Sequence, residues 1–130
     1  MPRPASTQAS EPLVQPVCPS GECPMVQLLD LLAGKWSFPV LYRLILQKRP
    51  VRFSELQRLV GRITQKELTK HLRQFEALGL VQREVFPEVP PRVEYVITDF
   101  GRSLKPPLDA LAQWVDTHRE TIARSARSAA

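Results

Sequence analysis

The chain has 130 residues, 43% of them apolar and 24% charged, a composition typical of a soluble globular domain with a modest core. No apolar run is long enough to cross a bilayer, and none follows the first methionine as a secretory signal would, so we predict a cytoplasmic protein. The net charge of +5 is unevenly distributed: residues 43–73 contain nine basic and two acidic residues, which favours a polyanionic partner.

The first 24 residues contain six of the thirteen prolines and almost no apolar periodicity. We therefore predict that residues 1–22 form a proline-rich flexible arm. The stretch from Cys23 to Ala33 is predicted to be a helix, because Pro24 suits a first turn and apolar residues surround the helix axis. A helix that is apolar on nearly every side needs burial from two directions, which suggests a partner chain as well as the domain core.

A second helix is predicted from Ser37 to Gln47. Pro39 is tolerated in this helix only within the first turn, so Ser37 is the expected N-cap. The buried stripe of the helix is predicted to contain the apolar residues at helical spacing, which are Phe38, Leu41, Leu44 and Ile45.

Two further helices are predicted between Val51 and Leu80, meeting at a tight turn. Each begins with a pattern typical of a capping box, Ser54 with Gln57 and Thr64 with Glu67. The second helix is predicted to bury one apolar face and to end through a left-handed turn at Gly79. That apolar face consists of Leu68, Leu72, Phe75 and Leu78, and polar or basic residues occupy the opposite face. The two helices together are predicted to be a helix-turn-helix.

After Leu80 the apolar residues no longer recur at helical spacing but at every second position. Residues 81–86 and 92–98 are predicted to be strands joined by a proline-stiffened turn, and a hairpin in this position forms a wing. Thr98 is expected to cap a last helix, which Pro106 and Pro107 must kink or restart. The pattern fades after His118, so residues 119–130 are predicted to be a C-terminal tail. The predicted fold class is α+β, mainly α: a winged helix-turn-helix with a two-stranded wing.

Catalysis and metal binding are not predicted. The sequence contains serine, histidine and acidic residues, but no nucleophile elbow, glycine-rich phosphate loop or metal-ligand cluster. The two cysteines, Cys18 and Cys23, are separated by four residues, which is not the spacing of a zinc-ligand pair. We therefore expect neither an enzyme nor a protein with a metal or other cofactor.

Several strings of this sequence resemble one family, the HxlR-type winged helix-turn-helix transcription regulators of bacteria and archaea. The resemblance covers residues 23–114, and the order and spacing of the strings make it specific. The strings are Cys23-Pro24, Leu29-Asp30, Gly34-Lys35-Trp36, Arg52 to Leu56, Ile63 to Thr69, Leu72-Arg73, Leu78 to Val81, Pro87 to Tyr95, Thr98, and Gly101 to Leu104.

The resemblance implies a homodimer in which N-terminal and C-terminal dimerisation helices supply the contact and two recognition helices read a palindromic operator. We therefore expect a nucleoid-associated, DNA-binding repressor whose winged domain spans residues 23–118. The sequence departs from the family pattern at Pro39 and Pro107, where many members have ordinary helix formers. Its proline-rich arm is also longer than usual.

The side chains on the polar face of the second helix of the pair suit contacts in the major groove. Gln65 can pair with an adenine edge, and Lys66 or Lys70 with a guanine edge. Thr69 can contact a thymine methyl group or a phosphate, and Arg73 is expected to meet phosphate. The alternative is that these residues are solvated charges on an exposed helix face.

Four residues outside this helix are also expected to contact DNA. Arg52, Ser54 and Arg58 lie at or near the start of the first helix of the pair, where they can bind the phosphate backbone. Arg92, at the wing, can reach an adjacent minor groove.

Cys23 is the candidate for redox sensing. A cysteine at a helix N-terminus has a lowered pKa, which favours the reactive thiolate. The resemblance implies the same role, because some members of the family release DNA when a cysteine at this position is modified by oxidants or electrophiles. The alternative is an inert thiol packed beside the first helix. A flexible arm would allow a disulfide with Cys18, but a lasting one is not expected in a reducing cytoplasm.

Two other possibilities remain open. Trp36, Phe38, Tyr42 and Trp114 can line an apolar pocket for an unknown small-molecule effector, or they can belong to the core. A winged helix can also serve as a protein-interaction or RNA-binding module without sequence-specific DNA binding, since a fold does not determine its function.

Overall fold

The computed structural model describes residues 23–129, with side chains up to residue 128, so the predicted arm at residues 1–22 lies outside the described residues. The chain divides after Gly34 into two compact units, which are described separately. The first contains helix α1, Pro24–Leu32, which begins as predicted with Cys23 as N-cap and Pro24 in the first turn. None of the residues of α1 is buried.

The second unit contains the remaining described elements in a fixed order. They are α2 (Ser37–Gln47), β1 (Val51–Arg52), α3 (Phe53–Val60), α4 (Gln65–Ala77), β2 (Val81–Phe86), β3 (Arg92–Ile97), α5 (Asp99–Arg102), α6 (Lys105–Thr117) and α7 (Arg119–Ala129). Helices α3 and α4 are the predicted helix-turn-helix, and β2 and β3 are the predicted wing. Among residues 23–129, no helix is long and apolar enough to cross a membrane.

The wing belongs to a three-stranded antiparallel sheet in the order β1-β3-β2. Strands β2 and β3 pair from Val81 opposite Ile97 to Phe86 opposite Arg92. The third strand, β1, is only two residues long and pairs Val51 with Tyr95. This strand is not predictable from the sequence, because two residues carry no periodicity and the pairing joins positions 44 residues apart.

The core of the second unit is built around α2 and α4. Fully buried side chains come from both helices, from α3 and from the sheet: Val40, Leu41, Leu44, Ile45, Val51, Leu56, Leu68, Leu72 and Phe75. The predicted burial of two residues is wrong, because Phe38 is 38% exposed and Leu78 is 51% exposed. In α2 the buried face starts one residue earlier, at Ser37. Leu78 follows the last residue of α4 and lies off its buried face.

Two predicted N-caps are also wrong. Trp36, not Ser37, is the N-cap of α2, so Pro39 lies in the first turn as expected but Ser37 is inside the helix. Helix α3 begins at Phe53 with Arg52 as N-cap and no side-chain cap bond, because β1 runs directly into the helix. The Gln57 side chain instead donates to the Ile63 carbonyl oxygen (3.1 Å), which supports the turn between α3 and α4.

The C-terminal helices follow the predicted capping and proline pattern. The Thr98 hydroxyl accepts a hydrogen bond from the Gly101 N–H (2.9 Å) and caps α5. The helix then stops and restarts at Lys105, with Pro106 and Pro107 in the first turn of α6, where proline removes no helical hydrogen bond. In the predicted C-terminal tail, residues 119–129 form helix α7, since alanine, arginine and glutamate are strong helix formers.

His71 is the buried ionisable residue of α4. It is 7% exposed, and its Nδ1 lies 3.2 Å from the Ser37 hydroxyl oxygen of α2. Burial lowers the pKa of His71 and the charge of Lys70 lowers it further, while Gln74 and Glu67 act in the opposite direction. The neutral imidazole is therefore the form that the folded chain prefers.

This preference predicts an acid sensitivity of folding. Because the folded pKa of His71 lies below its unfolded value of about 6.5, the unfolded chain takes up a proton first as the pH falls. The unfolding free energy should decrease from about pH 6.5 down to the folded pKa, with a slope of at most about 1.4 kcal/mol per pH unit. Urea denaturation at constant ionic strength measures this slope. A His71→Gln variant should lack this component, and an equal slope in variant and parent would contradict the assignment.

Candidate nucleic-acid interface

The predicted capping box at the start of α4 is present. The Thr64 hydroxyl accepts a hydrogen bond from the Glu67 N–H (3.1 Å), and the Glu67 carboxylate accepts one from the Thr64 N–H (3.4 Å). A capping box satisfies amides that the first turn of a helix would otherwise leave unpaired. The start of α4 is therefore fixed, and with it the direction in which Gln65 and Lys66 project.

The end of α4 is closed by the predicted glycine turn. Gly79 has a left-handed backbone (φ +79), its N–H donates to the Glu76 carbonyl (3.0 Å), and the Leu80 N–H donates to the Phe75 carbonyl (2.9 Å). This pattern is a Schellman motif, and Leu80 is buried as the accompanying apolar residue. The Thr98 hydroxyl lies 2.7 Å from the Gly79 carbonyl oxygen, so the base of the wing is tied to the end of α4.

The DNA-contact residues predicted on α3 and α4 lie on the surface. Arg52, Ser54, Arg58, Gln65, Lys66, Lys70 and Arg73 are exposed, and Thr69 is half-buried. On α4 they form two stripes. Gln65, Thr69 and Arg73, four residues apart, line a groove that faces the wing, whereas Lys66 and Lys70 follow the next stripe around the helix.

Most of the predicted cations are free of acidic partners. Among residues 23–128, no ion pair within 4 Å involves Arg52, Arg58, Lys66, Lys70 or Arg73. Glu55, the acidic residue of α3, is hydrogen-bonded to Arg49 (2.7 Å). That bond is the largest of the effects that keep the pKa of Glu55 below its usual value, and the charges of Arg58 and Arg52 act in the same direction. The surface around α3 and α4 is therefore strongly positive and available to a polyanion.

Arg92 differs from the other predicted residues, because its guanidinium group has partners within the wing. Nη1 lies 3.2 Å from a carboxylate oxygen of Glu88, and Nε lies 3.2 Å from one of Glu94. The guanidinium also stacks 4.0 Å from the centre of the Phe86 ring. A minor-groove contact by Arg92 stays a prediction, and it would compete with these interactions.

The groove between α4 and the wing has a volume of about 530 Å³. Its lining includes six of the nine predicted DNA-contact residues, namely Arg52, Ser54, Gln65, Thr69, Arg73 and Arg92. It also includes Arg83 of β2, which is not among the predicted DNA-contact residues. The alternation of the strand could have identified Arg83, because side chains at every second position share one face. Arg83 shares its face with Val81 and Val85, so it lies on the side of the wing that packs against the domain.

The aromatic residues considered for an effector pocket are not core residues. Trp36 and Tyr42 are half-buried, Phe38 is 38% exposed and Trp114 is 55% exposed. The Phe38 ring lies tilted against the Tyr42 ring, and Trp114 stacks on His118. Within residues 23–128, no group of three or more histidine, cysteine or acidic residues is arranged to hold a metal ion.

Cys23 is buried and disulfide-bonded, so the structure holds it in an oxidised state. It lies at the N-cap of α1, where its carbonyl oxygen accepts a hydrogen bond from the Gln27 N–H (3.0 Å). Cys18, the other cysteine of the sequence, lies outside the described residues. The role of Cys23 as a sensor stays a prediction.

The capped helix pair and the hairpin that follows it define a winged helix-turn-helix protein. Comparison with known proteins agrees with this class: the reduced form of the redox regulator HypR superposes with a TM-score of 0.67 at 40% identity, over 78% of this chain and 98% of that one. The reduced form of the regulator YodB from Bacillus subtilis gives a TM-score of 0.63 at 31% identity, over 73% of this chain and 92% of that one.

The family model of the HxlR-like helix-turn-helix proteins matches residues 31–123, and the chain belongs to this family. The HTH-type transcriptional regulator YdeP of Bacillus subtilis is 42% identical over 100 residues, which are 77% of this chain and 77% of that protein. The chain is therefore a DNA-binding transcriptional regulator of the winged helix-turn-helix type. A family of regulators also agrees with the prediction that this protein is not an enzyme.

Proposed function

We propose that this protein is a cytoplasmic, nucleoid-associated repressor that binds a palindromic operator as a homodimer and responds to oxidants through Cys23. The observation that supports operator binding best is the exposed polar face of α4, whose start is fixed by the Thr64–Glu67 capping box. A fixed helix start gives the side chains of its first turns a defined position, as reading base edges requires.

The two stripes of α4 suit different parts of the duplex. Lys66 and Lys70, outside the groove that faces the wing, are proposed to reach guanine edges, and Gln65 an adenine edge. Thr69 is proposed to contact a thymine methyl group or a phosphate. The remaining cations and the exposed start of α3 are proposed to bind phosphates: Arg52, Ser54, Arg58 and Arg73.

Dimerisation is proposed to use an exposed apolar stripe on the C-terminal helices. Leu111, Trp114 and Val115 of α6 are 59%, 55% and 48% exposed, and Trp114 and Val115 follow Leu111 by three and four residues, which is the spacing of one helix face. Ile122 of the next helix, α7, is 37% exposed. Contiguous exposed apolar residues of this size are typical of a protein interface. In the first unit, Met25, Val26 and Leu29 of α1 are also exposed, which supports a role for the N-terminal helix as well.

The orientation of this apolar stripe is set by contacts of α6 with α2. Leu108 is buried, and the carboxylate of Asp109 accepts hydrogen bonds from the Tyr42 hydroxyl and from Lys105 Nζ. The stripe therefore faces away from the core.

A dimer that places two α4 helices on successive major grooves covers about two turns of duplex. This is enough to exclude polymerase from an overlapping promoter, and we therefore propose that the protein is a repressor.

Selection of bound duplexes from a random DNA pool by the purified, reduced protein tests this function. We expect an inverted repeat whose half-site centres are about one helical turn, roughly 10 base pairs, apart, because a two-fold dimer places its recognition helices at that spacing. Enrichment of an unrepeated site would contradict the homodimer. No enrichment at all would contradict operator binding and favour an RNA-binding or protein-interaction module.

The double variant Lys66→Ala/Lys70→Ala should lose the preference for the selected repeat over a scrambled duplex. Lys35→Ala/Arg43→Ala is the matched control, since it removes two exposed positive charges that lie outside both the groove and the C-terminal helices. Equal loss of specificity in both double variants would show that charge alone, and not the position of the two lysines, supports binding.

The redox part of the proposal rests on Cys23, which is disulfide-bonded and lies at a helix N-terminus. Its reduced form would be a thiol whose ionisation the helix dipole favours. Formation of a disulfide from two thiols releases two electrons and two protons, which an oxidant such as diamide accepts. The kinship with the redox regulator HypR supports a response of this kind.

A Cys23→Ser variant should therefore bind the selected operator with the same affinity before and after treatment with diamide, whereas the parent should lose affinity. Electrophoretic mobility shift or fluorescence anisotropy measures this difference. Cys18→Ser is the matched control, because it tells an internal disulfide between the two cysteines from one that joins Cys23 to another molecule. A diamide response that persists in Cys23→Ser would rule out Cys23 as the sensor.

A further inference from the structure

The two faces of the wing carry different arginine residues. The strand register places Arg83 opposite Tyr95, and Phe86 opposite Arg92. Because successive side chains of a strand point to opposite faces, Arg83 and Tyr95 share one face while Phe86 and Arg92 share the other. Tyr95 is 5% exposed, so its face is the one that packs on the domain. Arg83 therefore lies on the side of the wing that faces α4, whereas Arg92 lines the groove from the other face, at the end of the hairpin.

Arg83 of β2 and Arg73 of α4 line the same groove from two different elements. Both line the groove, both are exposed, and within residues 23–128 neither has an acidic partner within 4 Å. Burial raises the pKa of the Tyr95 hydroxyl, while the charge of Arg83 and its hydrogen bond to Tyr95 oppose this rise; the charges of Glu76 and Arg73 have smaller, opposite effects. Arg83 lies directly opposite Tyr95 in the sheet, and Tyr95 and Arg73 line the same groove.

The other arginine of the wing has its charge balanced. Arg92 lies 3.2 Å from carboxylate oxygens of both Glu88 and Glu94, so the three residues together carry a net charge of −1. Its stacking on Phe86 and these two ion pairs join both strands and the turn of the wing. These contacts stabilise the hairpin. Because the two carboxylates neutralise the charge of Arg92, this residue attracts a phosphate only weakly.

We propose that Arg83 is the residue through which the wing holds DNA, and that it binds, together with Arg73, one phosphate of the strand lying between the wing and α4. The proposal rests on the proposed function, since it takes duplex DNA as the partner. Two guanidinium groups can bind the oxygens of one phosphate in the paired geometry that arginine favours. Arg52 and Ser54 line the same groove and can hold a neighbouring phosphate.

The test compares Arg83→Gln with the parent by measuring affinity for a selected and a scrambled duplex at several salt concentrations. Loss of a charged hydrogen bond to phosphate should weaken binding to both duplexes by about tenfold. The slope of log affinity against log salt should decrease by about 0.9 per bound copy of the chain. The ratio of the affinities for the selected and the scrambled duplex should not change, because a phosphate contact carries no sequence information.

Three further variants separate the proposal from its alternatives. Arg43→Gln removes one exposed charge from α2, outside the groove, and should change neither affinity nor slope by a comparable amount. Arg92→Gln should lower the melting temperature of the protein but leave the salt slope in place. Arg83→Lys keeps the charge and loses the guanidinium fork, so it should restore the slope with only part of the affinity.

The outcomes are distinguishable from failure of the proposed function. If the parent itself binds no duplex, the proposed function fails and not the assignment of Arg83. If the parent binds and Arg83→Gln keeps the same affinity and slope, Arg83 does not hold a phosphate. A change in the ratio of the affinities for the two duplexes would show that Arg83 contacts bases. If the salt slope decreases in Arg92→Gln and not in Arg83→Gln, Arg92 is the residue of the wing that binds phosphate.

Discussion

Burial of one face of α4 is the constraint on which the interface depends. Leu68, Leu72 and Phe75 are fully buried, and α4 contacts α2 and β2. Burial of three large apolar side chains stabilises the fold by roughly 5 to 9 kcal/mol. Rotation of the helix by one residue, about 100°, would expose this face and turn the polar stripes inward. The same packing that holds α4 on the domain therefore selects the side chains that face DNA.

The wing is joined to α4 by backbone contacts, so the two surfaces of the groove form one unit. The Thr98 hydroxyl lies 2.7 Å from the Gly79 carbonyl oxygen and caps α5 through the Gly101 N–H. A side chain at position 101 would meet the Leu80 carbonyl oxygen at 2.2 Å, so only glycine allows α5 to approach the end of α4 so closely. With its helix and wing fixed in this way, the groove can accept a strand without prior rearrangement.

The features that the sequence predicted are those with local causes. The capping box at Thr64, the glycine turn at Gly79 and the cap at Thr98 each depend on residues within a few positions, and each is present. The start of α3 could not be predicted in this way, because it is set by pairing of β1 with β3 far along the chain. The partners of Arg92 likewise depend on the strand register, which places Phe86 opposite it, and residue types do not reveal that register.

We propose that DNA lies against α3, α4 and the wing, while the exposed apolar residues of α6 and α7 contact a second copy of the chain. Amide chemical-shift changes in the ¹⁵N-labelled protein on addition of a mixed-sequence duplex at low salt test this claim most directly. We expect changes concentrated in residues 52–58, 64–73 and 81–92, with residues 111–122 unaffected. Changes concentrated in residues 111–122, with the start of α4 unaffected, would contradict it.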